Sequence, residues 1–121
     1  MDGEHMSGDA EVDEFVDVNL VSFPAWDLIT FLHKNPHTDA TVHELCGSLA
    51  RQEKDLAPAL QRCVATGVAE EHECPDGLTR FRLSADARIR SVIDRFCEFS
   101  HDREVRLEFV RKVMGRLATT A

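Results

Sequence analysis

Four cysteines and six histidines carry most of the chemistry open to this 121-residue chain. Cys46, Cys63, Cys74 and Cys97 are widely spaced, with no C-x-x-C pair. Three of them fall in the apolar phase of helical stretches, where a thiol acts as a small buried hydrophobe. His43 and Cys46 stand at i and i+3, and His72 and Cys74 two apart on a strand. Either pair could share a metal, yet neither supplies the usual four ligands of a structural zinc site. No metal and no cofactor are expected. His33, His37 and His43 fall on a helix end, a loop and another helix, and read as surface residues. There is no phosphate-binding loop, nucleophile elbow or glycine pair opening a nucleotide site, so no enzyme is expected.

The elements around these residues follow from periodicity and caps. Residues 1–14 are polar and acidic and are expected to form a disordered tail. Phe15, Val16, Val18, Leu20 and Val21 then form an apolar run, readable as a strand or an extended arm. Ser22 and Pro24 open a helix, Ala25, Leu28, Ile29 and Leu32 give it an apolar face, and Asn35-Pro36 ends it. A second helix runs from about Thr41 to Ala50, with Glu44 three residues after Thr41 as a capping box. A third runs from about Asp55, its expected N-cap, to Thr66. That places Pro58 in the tolerated first turn, and Gly67 stops the helix. Val68–Glu73 and Leu78–Leu83 flank the turn signal Pro75-Asp76-Gly77. In the second strand Phe81 and Leu83 alternate with Arg80 and Arg82, giving one apolar and one basic face. From Ser84 to about Leu117 the chain is helical again, as one helix or as two broken near Ser100–Arg103.

Charge is unevenly spread. Residues 1–22 hold seven acids and no Lys or Arg, residues 23–83 nine acids against six bases, and residues 84–121 six acids against eight bases. The chain as a whole carries -8. Duplex binding gains affinity when Lys and Arg neutralise phosphates, so this balance argues for a local basic patch or for none. No run of about 18 apolar residues exists, so no membrane span is expected. The first 17 residues lack the pattern of a signal peptide, so the expected location is the cytoplasm.

The run TVHELCGSLARQEKDLAPALQRCVATGVAEEHECPDGLTRFRLS resembles the winged helix-turn-helix superfamily, in the style of MarR- and ArsR-type bacterial regulators. Glu44-Leu45, Leu49, Leu56, Leu60, Gly67-Val68 and the Asp76-Gly77 hairpin carry the likeness, which spans roughly residues 23–83. It implies an α+β, mostly α fold: a winged helix-turn-helix with a C-terminal amphipathic helix or helix pair. It also implies that the third helix enters the major groove of double-stranded DNA, with Lys54, Ala57, Pro58, Gln61, Arg62 and Ala65 facing it. Gln61 suits adenine and Arg62 guanine, while Arg51 and Lys54 suit phosphates. Arg80 and Arg82 on the wing can reach DNA, or can pair internally, since Arg82 falls opposite Glu70 and Arg80 opposite His72. Residues 44–49 also resemble an ArsR-type thiol motif, with Ser48 where that motif has a second cysteine.

The C-terminal stretch is the expected dimer element. Ile89, Ile93, Phe96, Leu107, Val110, Met114 and Leu117 keep a heptad phase, and a homodimer built on Ile93, Phe96, Leu107, Val110, Met114 and Leu117 would bury them. The alternative is that the first half packs on its own domain. Trp26, off the main phase of its helix, is expected beneath the N-terminal arm or the C-terminal helix. The expected organisation is a tail (1–14), a winged-helix domain (15–84) and a C-terminal packing region (85–118). The expected function is a DNA-binding transcription regulator acting as a homodimer. The alternative is a winged-helix protein-interaction module that binds no DNA.

Overall fold

The order of elements is α1 (Ala10–Asn19), α2 (Phe23–Lys34), α3 (Val42–Leu49), α4 (Glu53–Ala65), β1 (Ala69–Glu73), β2 (Thr79–Leu83), α5 (Ala87–Phe99) and α6 (Arg103–Thr119). The computed structural model describes residues 7–119. The fold is α+β and mostly α, of winged helix-turn-helix type.

Local chemistry sets most boundaries. The Ala25 N–H donates to Ser22 Oγ at 3.2 Å, with proline in the first turn of α2. The capping box of α3 is complete: the Glu44 N–H donates to Thr41 Oγ1 and the Thr41 N–H to Glu44 Oε1. Ala50, at φ +55, turns the chain from α3 to α4 in the left-handed region that usually favours glycine.

The start of α4 differs from expectation. Its N-cap is Gln52, which makes no side-chain cap, and Asp55 is the third helical residue. There its charge still favours the positive end of the helix dipole. Pro58 consequently lies inside the helix rather than in its first turn.

In the hairpin the register pairs Glu70 with Arg82 and His72 with Arg80, as the three-residue turn requires. The Gly77 N–H donates to the Cys74 carbonyl, and Gly77 holds φ +84, the conformation this turn needs. Ala40 exchanges two backbone hydrogen bonds with Phe81, so β2 is held on both edges.

The first clear departure is α1. Helix replaces the expected tail from Ala10 and the expected strand or arm after it; residues 1–6 of that tail lie outside the described residues. Asp9 caps α1 by accepting from the Glu11 and Val12 N–H groups. Val12, Phe15, Val16 and Leu20 lie at helical spacing and are buried in the core. Of the acids that suggested a solvated tail, Asp13 is buried and accepts from the Ser7 N–H and hydroxyl, and others find bases. Arg95 of α5 holds Asp9 and Glu11, each at 2.6 Å, and Lys112 of α6 holds Asp17 at 2.6 Å.

The C-terminal stretch is two helices. Asp102 starts α6 by accepting from the Glu104 and Val105 N–H groups. The two helices close on an aromatic cluster centred on Phe96. Its ring lies 5.4 Å from Phe15, 5.4 Å from Phe109 and 6.3 Å from Trp26. Trp26 therefore sits beneath the C-terminal helices, also meeting Phe109 edge-on.

Replacing Phe96→Ala removes the shared member of these contacts, so urea unfolding should show a loss of about 3–5 kcal/mol. A second expectation concerns pH. Arg95 holds the Asp9 and Glu11 carboxyls below their ordinary values of 3.8 and 4.5. A carboxyl with a lowered folded pKa stabilises the folded state above its unfolded pKa and loses that contribution as pH falls through the folded value. Hydrogen-exchange protection of α1 should therefore fall on acidification below these ordinary values, and Arg95→Gln should flatten that dependence. Equal acid sensitivity in the variant would contradict the assignment.

Candidate nucleic-acid interface

Helix α4 buries Leu56, Ala59, Leu60 and Cys63. The opposite side therefore faces solvent: Lys54, Pro58, Gln61, Arg62 and Ala65 are exposed and Ala57 is half-buried. Gln61 also lines a cleft of about 620 Å³ closed by Thr41 and Glu44 on one side and Glu71, Leu78 and Thr79 of the hairpin region on the other. Of the six expected DNA contacts, Gln61 lines this cleft, while the arginines turn to different neighbours.

Arg51, in the turn before α4, donates twice to Asp27 Oδ2 of α2, at 2.8 and 2.5 Å. Arg62 donates from Nε to the Val18 carbonyl at 2.9 Å, capping the end of α1. One turn on, the Thr66 hydroxyl donates to buried Asn19 at 2.7 Å. Arg82 pairs with Glu70 at 3.1 Å, as the register suggested. The Ala85 N–H and then Arg82 hold the Glu70 carboxyl below its ordinary value.

Arg80 does not pair with His72. It reaches Glu44 Oε1 at 3.3 Å and Asp76 Oδ2 at 3.4 Å. Asp76 chiefly, and then the Cys74 thiol and Glu44, raise the Arg80 pKa. His72 instead meets Asp39 at 2.7 Å. Lys54 forms no ion pair among the described residues. Glu53, Asp55, Glu71 and Glu73 are exposed.

These pairings neutralise the arginines without removing them. Exposed ion pairs are worth about 0–1 kcal/mol, so a phosphate can compete for Arg51, Arg80 or Arg82. The carbonyl contact of Arg62 anchors α1. That contact escaped the sequence reading because α1 itself did. The available signal was Val12, Phe15, Val16 and Leu20 recurring after Asp9.

The expected dimer residues divide in two. Ile93 and Phe96 are 1% and 0% exposed in the chain's own core, so they are not available to a second copy. Helix α6 buries Phe109 and Val113 instead, and exposes Leu107 (42%), Met114 (56%) and Leu117 (46%), with Val110 half-buried. The heptad phase ran through two helices that turn different faces to the core. Among the described residues no group of three or more His, Cys, Asp or Glu is arranged to hold a metal, and no helix is long and apolar enough to cross a membrane.

No protein-family model matches the chain, and no curated protein matches it in sequence. A similar solved structure is described as "Possible transcriptional regulator from Methanosarcina mazei Go1". The likeness has a TM-score of 0.54 at 11% identity, over 78% of this chain and 80% of that one. At that identity it bears on the fold alone.

Proposed function

We propose that this chain is a cytoplasmic transcription regulator that binds duplex DNA as a homodimer, in the manner of MarR- and ArsR-type winged helices. The observation that carries the reading is the solvent-facing side of α4 beside the hairpin, in a helix-turn-helix whose neighbour in fold is described as a possible regulator. Gln61 and Arg62 are the base readers, with Lys54, Arg51, Arg80 and Arg82 on phosphates. Groove entry exchanges the carboxylate partners of the arginines for phosphates, so binding is modest and steeply salt-dependent.

The dimer pairs α6 with its copy along Leu107, Val110, Met114 and Leu117. This stripe keeps the 3-4-3 spacing of a coiled-coil seam, and two-fold pairing is the commonest way to cover such a face. A second reading, a protein-interaction module that leaves DNA alone, is favoured by the carboxylate partners of Arg51, Arg80 and Arg82.

Titration with mixed-sequence duplex separates the readings. Binding at low salt should weaken linearly on a log–log plot, with a slope of about -0.9 per phosphate contacted. Lys54→Ala should shallow that slope by about one contact. No binding at low salt would leave the interaction module as the reading. For the dimer, sedimentation equilibrium should give a two-copy mass that the exposed-site variant Leu107→Asp/Met114→Asp lowers to one, with thermal unfolding of the monomer still cooperative. A wild-type chain that stays monomeric at high concentration would refute the pairing.

A further inference from the structure

The outer face of the hairpin holds a Cys–His–Asp constellation that the DNA reading does not use. His72 lies between two groups. Its Nε2 is 2.7 Å from Asp39 Oδ1, and its Nδ1 is 3.9 Å from Cys74 Sγ. In the tautomer whose Nε2–H donates to this carboxylate, the Nδ1 lone pair faces the thiol. Arg80 flanks the same sulfur.

The two ring nitrogens point apart, so the trio forms a relay and not a chelate. The order matches the general requirement for an activated nucleophile: a base beside the thiol and a third group orienting the base. Strand geometry explains the assembly. His72 and Cys74 share one face of the hairpin with Arg80, because side chains two apart in a strand point the same way. Asp39 comes from the segment whose next residue, Ala40, is hydrogen-bonded to β2.

The other three thiols lack this setting. Cys63 is buried, and its pKa is pushed up to about 12. Burial likewise raises Cys97 to about 11 and raises Cys46 above its ordinary value. Cys74 is half-buried at the edge of the turn, where a small molecule can reach it.

We infer that Cys74 is a modification site: a reactive thiol that takes up a low-molecular-weight thiol by exchange with the corresponding disulfide. The Cys74 proton passes to His72 Nδ1, and Asp39 stabilises the resulting imidazolium. The thiolate attacks one sulfur of the small disulfide. A Cys74–sulfur bond forms as the small molecule's S–S bond breaks. The electron pair leaves on the second sulfur, which takes up a proton. The disulfide is transferred, so no further oxidant is needed.

The groups facing the thiol are His72 and Arg80 on the hairpin. Asp76 in the turn, and Asp39 and Glu44 from before and within α3, complete the charged surroundings through those two.

The test treats the native full chain with dithiodipyridine at neutral pH and follows thiopyridine release, with peptide mass spectrometry to locate the adduct. Cys74 should react first, about tenfold or more faster than Cys46 and than a free small thiol at the same pH. His72→Gln should slow Cys74 by about tenfold at neutral pH and much less at alkaline pH, where the thiol ionises without a base. Asp39→Asn should produce a smaller slowing of the same kind. Cys74→Ser should abolish the fast phase. Reaction of Cys74 no faster than Cys46, or a His72→Gln chain with an unchanged neutral rate, would overturn the assignment. Circular dichroism of each variant separates lost activation from lost folding, since an unfolded chain would expose all four thiols and react faster at every one. The readout contains no DNA, so its failure is distinct from a failure of the regulator reading.

Discussion

The contact on which the remainder depends is the packing of Phe96 against Phe15, Trp26 and Phe109. Each ring comes from a different helix: α1, α2, α5 and α6 meet at one point. Aromatic side chains bury the most apolar area per residue, and tilted and offset pairs add about 0.5–1.5 kcal/mol each beyond that area. Without this cluster the helix-turn-helix would still have its own apolar centre in Leu28, Ile29, Leu32, Leu45, Leu56 and Leu60. The terminal helices join that centre through these rings, beside Val12, Val16, Val92, Ile93 and Val113.

Charge then locks what the aromatic cluster brings together. The N-terminal segment is acidic and the C-terminal helices are rich in arginine, and the fold sets the two against each other. Arg95 and Lys112 take side-chain carboxylates of α1 and its flank. Arg62 and Arg116 take carbonyls at its C-terminal end, where the orphan acceptors of a helix need donors. An imbalance that looked like a property of a tail is a complementary surface inside the domain. The same logic holds on the side proposed to face DNA, where Arg51, Arg80 and Arg82 stand beside their own carboxylates. These pairs are exposed and weak, so a stronger anion can compete for the arginines.

The hairpin joins two proposed roles on one face. Strand alternation puts Arg80, Arg82, His72 and Cys74 on its outer side and Phe81 and Leu83 on its core side. The arginines are the phosphate contacts of the regulator reading, and the thiol with its histidine sits between them and the turn. A bulky adduct at Cys74 would crowd Arg80.

How much of this was written in the chain differs by element. Helices α2 and α3 and the hairpin were legible from local signals, because Ser22, Thr41, Glu44 and Gly77 act on neighbours within a few residues. The turn also fixed the register, so the Glu70–Arg82 pair followed from counting. The start of α4 was misplaced because Asp55 looks like a cap, while the chain leaving Ala50 in the left-handed region begins the helix two residues earlier. The six candidate DNA contacts were identified by position, but their partners lie 24 to 44 residues away for Arg51 and Arg62, a separation no local pattern encodes.

The apolar heptad in 89–117 specified amphipathic helices and nothing about which face would meet the core. Tertiary structure decided that α5 turns Ile93 and Phe96 inward, that α6 buries Phe109 and Val113, and that Leu107 and Met114 remain outside. It also decided that an acidic N-terminus becomes a helix. Val12, Phe15 and Val16 supply too little buried area to fold alone, and become ordered only where Phe96 and Arg95 already stand.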